Sequence, residues 1–174
     1  MATNTIADIV LANSGGQGLE AFDVLLAALQ AADPTATGLL GAALDPAQDL
    51  TVFAPTDDAF IGLAKVLDPS VATEGDALAV IAAASAALSP VYDPTAFLKT
   101  VLSYHISAGA ETKADVQAAG TIATLAGLDL APSGEMLGDE DPDLGDAQFV
   151  PGLTDLQADN GVVHVIDKVL LPYD

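Results

Sequence analysis

The sequence predicts an α+β domain, with helices filling its N-terminal half and strands gathering after Ile106. Three observations carry that reading. Before Ile106 the apolar residues recur at the spacing of helices that bury one stripe. After it they fall into short alternating or β-branched blocks such as Val162-Val163-His164-Val165-Ile166, which suit a pleated surface. Between these textures sits L-T-V-F-A-P-T-D-D-A-F, residues 50–60, where a strand runs straight into a capped helix. Helices early and strands late separate the two kinds of element along the chain, as α+β folds do.

Taken in order, Thr3 or Asn4 is placed to cap a short helix reaching about residue 12, with Ile6, Ile9 and Val10 on one face. Asn13-Ser14-Gly15-Gly16 ends it. Residues 19–32 read as a second helix, striped by Phe22, Leu25, Leu26 and Leu29 and broken by Asp33-Pro34. Residues 38–44 make a short apolar turn of helix before Asp45-Pro46. Leu50 to Phe53 then form the central strand, which Pro55 stops because proline has no N–H for a ladder. Thr56 is an N-cap, and Asp57 and Asp58 bring negative charge to the positive first turn of the helix it starts. Ala59, Phe60, Leu63, Ala64 and Leu67 mark the buried side of that helix.

After Asp68-Pro69, alanine-rich residues 76–88 are strong helix formers with little amphipathicity, so this helix is expected to add little to the core. Asp93 caps the next helix with Pro94 at its first position. Phe97, Leu98, Val101 and Leu102 face inward, and the helix runs into Tyr104-His105. Residues 112–119 form one further helix. Strands are expected over 121–125 and 128–131, joined at Ala126-Gly127, then over 148–150 and 162–166. Asn160-Gly161 reads as a hairpin turn, both residues tolerating positive φ, and residues 169–171 are expected to close the sheet before Pro172.

The chain is 174 residues long, a single domain over 1–174 that is large enough to fold without staples. It has no cysteine, so disulfides and thiolate metal sites are absent. Twenty-five acidic residues against four lysines and no arginine give a formal charge of −21. Such a surface repels nucleic acid and anionic lipid alike. Two copies also repel, so a monomer is expected in solution. No apolar run approaches the roughly 20 residues of a membrane span. Residues 1–5 lack the basic and apolar regions of a secretory signal.

Three separated segments resemble the signature segments of the fasciclin domain, a cell-adhesion module. They are residues 50–60, residues 98–109 (L-K-T-V-L-S-Y-H-I-S-A-G) and residues 160–172 (N-G-V-V-H-V-I-D-K-V-L-L-P). Thr5-Ile6-Ala7-Asp8-Ile9-Val10 is similar to the family's opening helix, which extends the resemblance over nearly the whole chain. The resemblance implies a β-wedge of two small sheets with several helices packed around it. It further implies a non-enzymatic domain at the cell surface, secreted or in the periplasm, that binds a surface or matrix protein or a glycan.

The residues nominate few chemical sites. Tyr104-His105 matches the family's Tyr-His motif, which the resemblance associates with partner binding; the alternative is that both side chains pin the helix–strand corner. His164, inside a strand, reads as structural. Asp155-Leu156 stands where animal relatives carry an Asp-Ile pair used in receptor recognition, with Leu in place of Ile, and a carboxylate beside an aliphatic anchor suits a metal-dependent receptor. The alternative there is an ordinary strand edge. Asp139, Asp141 and Asp143 alternate as in a calcium loop, but the sixth and twelfth positions are Leu144 and Val150 rather than Gly and Glu, so this is no EF-hand. A weak cation site in an otherwise solvated loop is the most it offers, and it keeps open a second reading, a cation- or small-ligand-binding domain. No cofactor is implied. With no G-x-S-x-G elbow, no phosphate loop and no arginine clamp, nothing nominates an enzyme.

Overall fold

A computed structural model describes residues 4–12, 22–87, 94–141 and 144–172. The expected breaks at residues 13–16, the start of the second helix at residues 19–21, the Asp93 cap and Asp143 lie outside them. The helical half runs α1 (Ile6–Ala12), α2 (Asp23–Ala32), α3 (Leu39–Leu44), β1 (Leu50–Pro55), α4 (Asp57–Leu67), α5 (Glu74–Ala87) and α6 (Pro94–Tyr104). The second half runs β2 (Ile106–Ala108), α7 (Lys113–Ala119), β3 (Ile122–Ala123), β4 (Asp129–Ser133), β5 (Met136–Gly138), β6 (Ala147–Gln148), β7 (Leu156–Ala158) and β8 (Gly161–Ile166).

The strands form two four-stranded sheets, ordered β2-β1-β8-β7 and β3-β4-β5-β6. β1 lies antiparallel to β2 and parallel to β8, with Leu50 opposite Gly161 and Pro55 opposite Ile166. Isolated bridges Ser107–Thr124 and Phe149–Ile166 join the two sheets, which closes them into a wedge. Strand alternation then sorts the core. Leu50, Val52, Ala54, Val163 and Val165 face the helices, in one cluster with Leu102, while Phe53 and Ile166 point between the sheets with Tyr104, Leu130 and Phe149. The three signature segments therefore share one interior.

Capping explains where several helices begin. Thr5 and Asp8, Thr73 and Asp76, and Thr112 and Asp115 each exchange side-chain and backbone hydrogen bonds reciprocally across a T-x-x-D spacing. These capping boxes satisfy orphan amides at both ends of the exchange. Thr5, rather than Thr3 or Asn4, therefore starts the first helix. Thr56 caps α4 as expected, its Oγ1 accepting from the Ala59 N–H at 3.2 Å.

Three expectations need correction, and one strand had no counterpart among them. The alanine-rich α5 does enter the core, through Ala77 and Ile81, because alanine lets it pack closely. The β7–β8 hairpin turns at Asp159-Asn160, with Ala158 opposite Gly161, so Gly161 is already in the strand. It is needed there at φ +146° because a Cβ would sit 1.9 Å from the Leu50 carbonyl oxygen. Residues 169–171 form no strand: the Leu170 amide donates to His105 and the Leu171 amide to Asp139. β5 was not foreseen, being three residues beside a glycine turn.

Candidate functional site

Tyr104 ends α6 and His105 follows it, and both are inside the molecule, at 0% and 2% exposure. The Tyr104 hydroxyl donates to the Asp129 carbonyl at 3.0 Å. Burial pushes its phenol well above the usual tyrosine range, with Asp139 adding to the shift. His105 lies 2.7 Å from the Val101 carbonyl through Nδ1, and its Nε2 accepts the Leu170 amide at 2.9 Å. One nitrogen must donate and the other accept, which fixes the neutral Nδ1–H tautomer. Burial lowers the imidazole pKa to about 4. The pair pins the helix–strand corner, and neither side chain reaches solvent.

His164 is also fully buried, stacked on Phe53 with ring centroids 5.9 Å apart and edge-on to Phe149 at 5.7 Å. Its Nδ1 accepts the Asp155 amide at 3.1 Å, and its Nε2 faces the Glu111 carbonyl at 3.0 Å. The neutral Nε2–H form satisfies both, and burial lowers its pKa as well. His164 thereby holds Asp155, which is exposed and sits at φ +57°. The Asp155 Oδ1 accepts the Lys113 amide at the first turn of α7, at 2.8 Å. Its Oδ2 makes no hydrogen bond among the described residues. Leu156 follows, half-buried in β7 opposite Val163. Lys113 reaches over the Phe149 ring, 5.4 Å from its centroid, to Glu135. The structure thus brings Asp155, His164 and Lys113 together, while the Leu156 side chain packs on the helix-side core and Tyr104 and His105 lie in the interior.

The acidic loop is engaged in holding itself. Asp139 Oδ2 accepts the Leu171 amide and Oδ1 the Asp141 amide, while Asp141 Oδ1 accepts the Leu144 amide. A different carboxylate group was missed in the sequence: Asp23, Asp57 and Glu74 bring one oxygen each within 4.8 Å of one another. Asp57, 2% exposed, accepts the Asp23 and Val24 amides at 3.1 and 2.9 Å. It therefore caps α2, whose own N-cap residue, Phe22, supplies no side-chain acceptor. Burial raises the pKa of both Asp57 and Glu74. The T-x-x-D boxes could have been found from spacing alone; Asp57 could not, because its partner helix lies 33 and 34 residues away.

The fasciclin domain family model matches residues 20–172. The chain belongs to the fasciclin domain family. Domains of this family are generally non-enzymatic, adhesion-related and found outside cells or at their surface. This fasciclin domain is 35% identical to protein sll1483 of Synechocystis over 171 residues, covering 98% of this chain and 77% of that one. It is 30% identical to the Synechocystis protein sll1735 over 152 residues, covering 87% and 90%. Among solved structures, a FAS1 domain pair from the insect cell adhesion molecule Fasciclin I aligns with 95% of this chain at 14% identity and a TM-score of 0.43, and this chain spans 43% of its length. Among the described residues no helix is long and apolar enough to cross a membrane.

Proposed function

We propose that this fasciclin domain is a non-enzymatic adhesion module working outside the cell, which engages a surface or matrix protein or glycan through the Asp155-Leu156 turn. The observation supporting this is the turn itself. An exposed carboxylate is held in the left-handed backbone region by a buried histidine, with one oxygen anchored and the other uncommitted. Such pre-organisation lowers the ordering cost of binding. Tyr104 and His105 act at one remove, by fixing the wedge that carries the turn. With a charge of −21 the domain is a monomer at low salt.

Asp155→Asn is the decisive variant. Asparagine tolerates positive φ and retains an acceptor for the Lys113 amide, so only the charge is removed. Beads coated with the variant should attach to the surface of the producing cells markedly less than beads carrying the parent domain. Equal attachment by a variant with an unchanged circular dichroism spectrum would overturn the assignment.

A further inference from the structure

Two adjoining hollows flank α4. The inner one, about 100 Å³, is walled by Phe60, Leu67, Ile81, Phe97 and Leu98. It offers water no partners, and hollows of this kind stay dry and accept apolar guests. The outer one, about 290 Å³, is bounded by Gly62, Val66, Leu144, Asp58, Asp167 and Lys168. Leu63 and Val169 belong to both walls and form the sill between them. Val66 and Leu67, 61% and 50% exposed, lie beside this mouth and account for half of the four large apolar side chains most open to solvent among the described residues. Adjacent exposed apolar side chains beside a dry hollow are the surface signature of a ligand site.

The mouth also selects a head group. Lys168 directs its ammonium to the Leu144 and Gly145 carbonyls at 3.0 and 3.3 Å, whereas Asp58 and Asp167 stand on the same rim. Asp167 Oδ1 accepts the Gln148 amide at 2.7 Å, yet two carboxylates against one ammonium leave the rim negative, within a protein of charge −21. We propose that the paired hollows bind a single-chain aliphatic amphiphile with an ammonium head, the alkyl tail crossing the Leu63–Val169 sill and the head resting between Asp58 and Asp167. This site is separate from the Asp155 turn, and its test does not involve adhesion.

The probes are n-octylammonium, n-octanol and n-octanoate, the ionic two titrated below their micelle concentrations and octanol below its solubility limit, while the methyl signals of Leu63, Val66 and Val169 are followed by NMR. Octylammonium should move those signals saturably and bind about two- to fivefold more tightly than octanoate, the scale of an exposed ion pair. Gly62→Leu provides the block: a Cβ there meets nothing within 4 Å, and leucine is the better helix former, so the variant folds and should lose binding. Asp58→Asn should reduce the preference for the ammonium. The proposal is overturned if none of the three probes shifts these methyls, if octanoate or octanol matches octylammonium, or if Gly62→Leu binds as the parent does.

Discussion

His105 and His164 are each held neutral by burial, with one backbone amide donating to each ring, and this makes the fold sensitive to mild acid. Unfolded histidine titrates near 6.5, whereas folded His105 takes a proton only near pH 4. Between those values the unfolded chain binds more protons, so stability is full above pH 6.5 and falls as the pH drops toward 4. For His105 alone the loss by pH 5 is about 2 kcal/mol. His164 shifts in the same direction. The carboxyl groups of Asp57 and Asp139, raised by burial, oppose this, since folding favours their protonated forms as the pH falls through their folded values. Nitrogen NMR at pH 6 should find both imidazoles neutral, His105 protonated on Nδ1 and His164 on Nε2. An imidazolium at either position, or the reverse tautomers, would contradict the hydrogen-bond directions. Urea unfolding should show the domain less stable at pH 5 than at pH 7.

Among the elements, α2 depends on a residue of another helix for its start. Truncating Asp57→Ala leaves the Asp23 and Val24 amides without their acceptor, and Val24 is buried. The cost should be about 2 to 3 kcal/mol. Asp57→Asn keeps one acceptor oxygen and should lose roughly half as much; urea midpoints that agree for both variants and the parent would refute the capping role. The same residue shows how far the sequence could be read. Thr56 as a cap was legible because its partner lies three residues on, in the same turn. Asp57 was legible only as a charge favourable to its own helix. The Asn160 side chain was hidden in the same way. It accepts the Ile6 amide and donates to the Ala43 and Asp45 carbonyls, uniting α1 and the end of α3 with β8, whereas its local chemistry suggested only a turn. Periodicity located most elements. It could not say that Tyr104 points inward, since an aromatic ring with a polar tip suits either side of a surface.

For the molecule as a whole, the charge of −21 is spread over a surface with one described ion pair, Lys113–Glu135. Salt therefore has much repulsion to screen and little attraction to weaken. Raising sodium chloride from about 10 mM to about 0.5 M, which shortens the screening length severalfold, should raise the melting temperature by several degrees. A fall would show that attractive pairs dominate after all.

The pairing of β1 with β8 has a consequence for how the protein is made. Leu50 to Pro55 are wholly buried against residues 161–166, and Asn4 and Ile6 are tied to residues 157–160. On the ribosome, β1 can pair with β2 as soon as residues 106–108 are made, but its other edge must wait until residues 161–166 emerge. Contacts this distant in sequence form slowly. Nascent chains halted before Gly161 should thus be far better chaperone substrates than the finished protein.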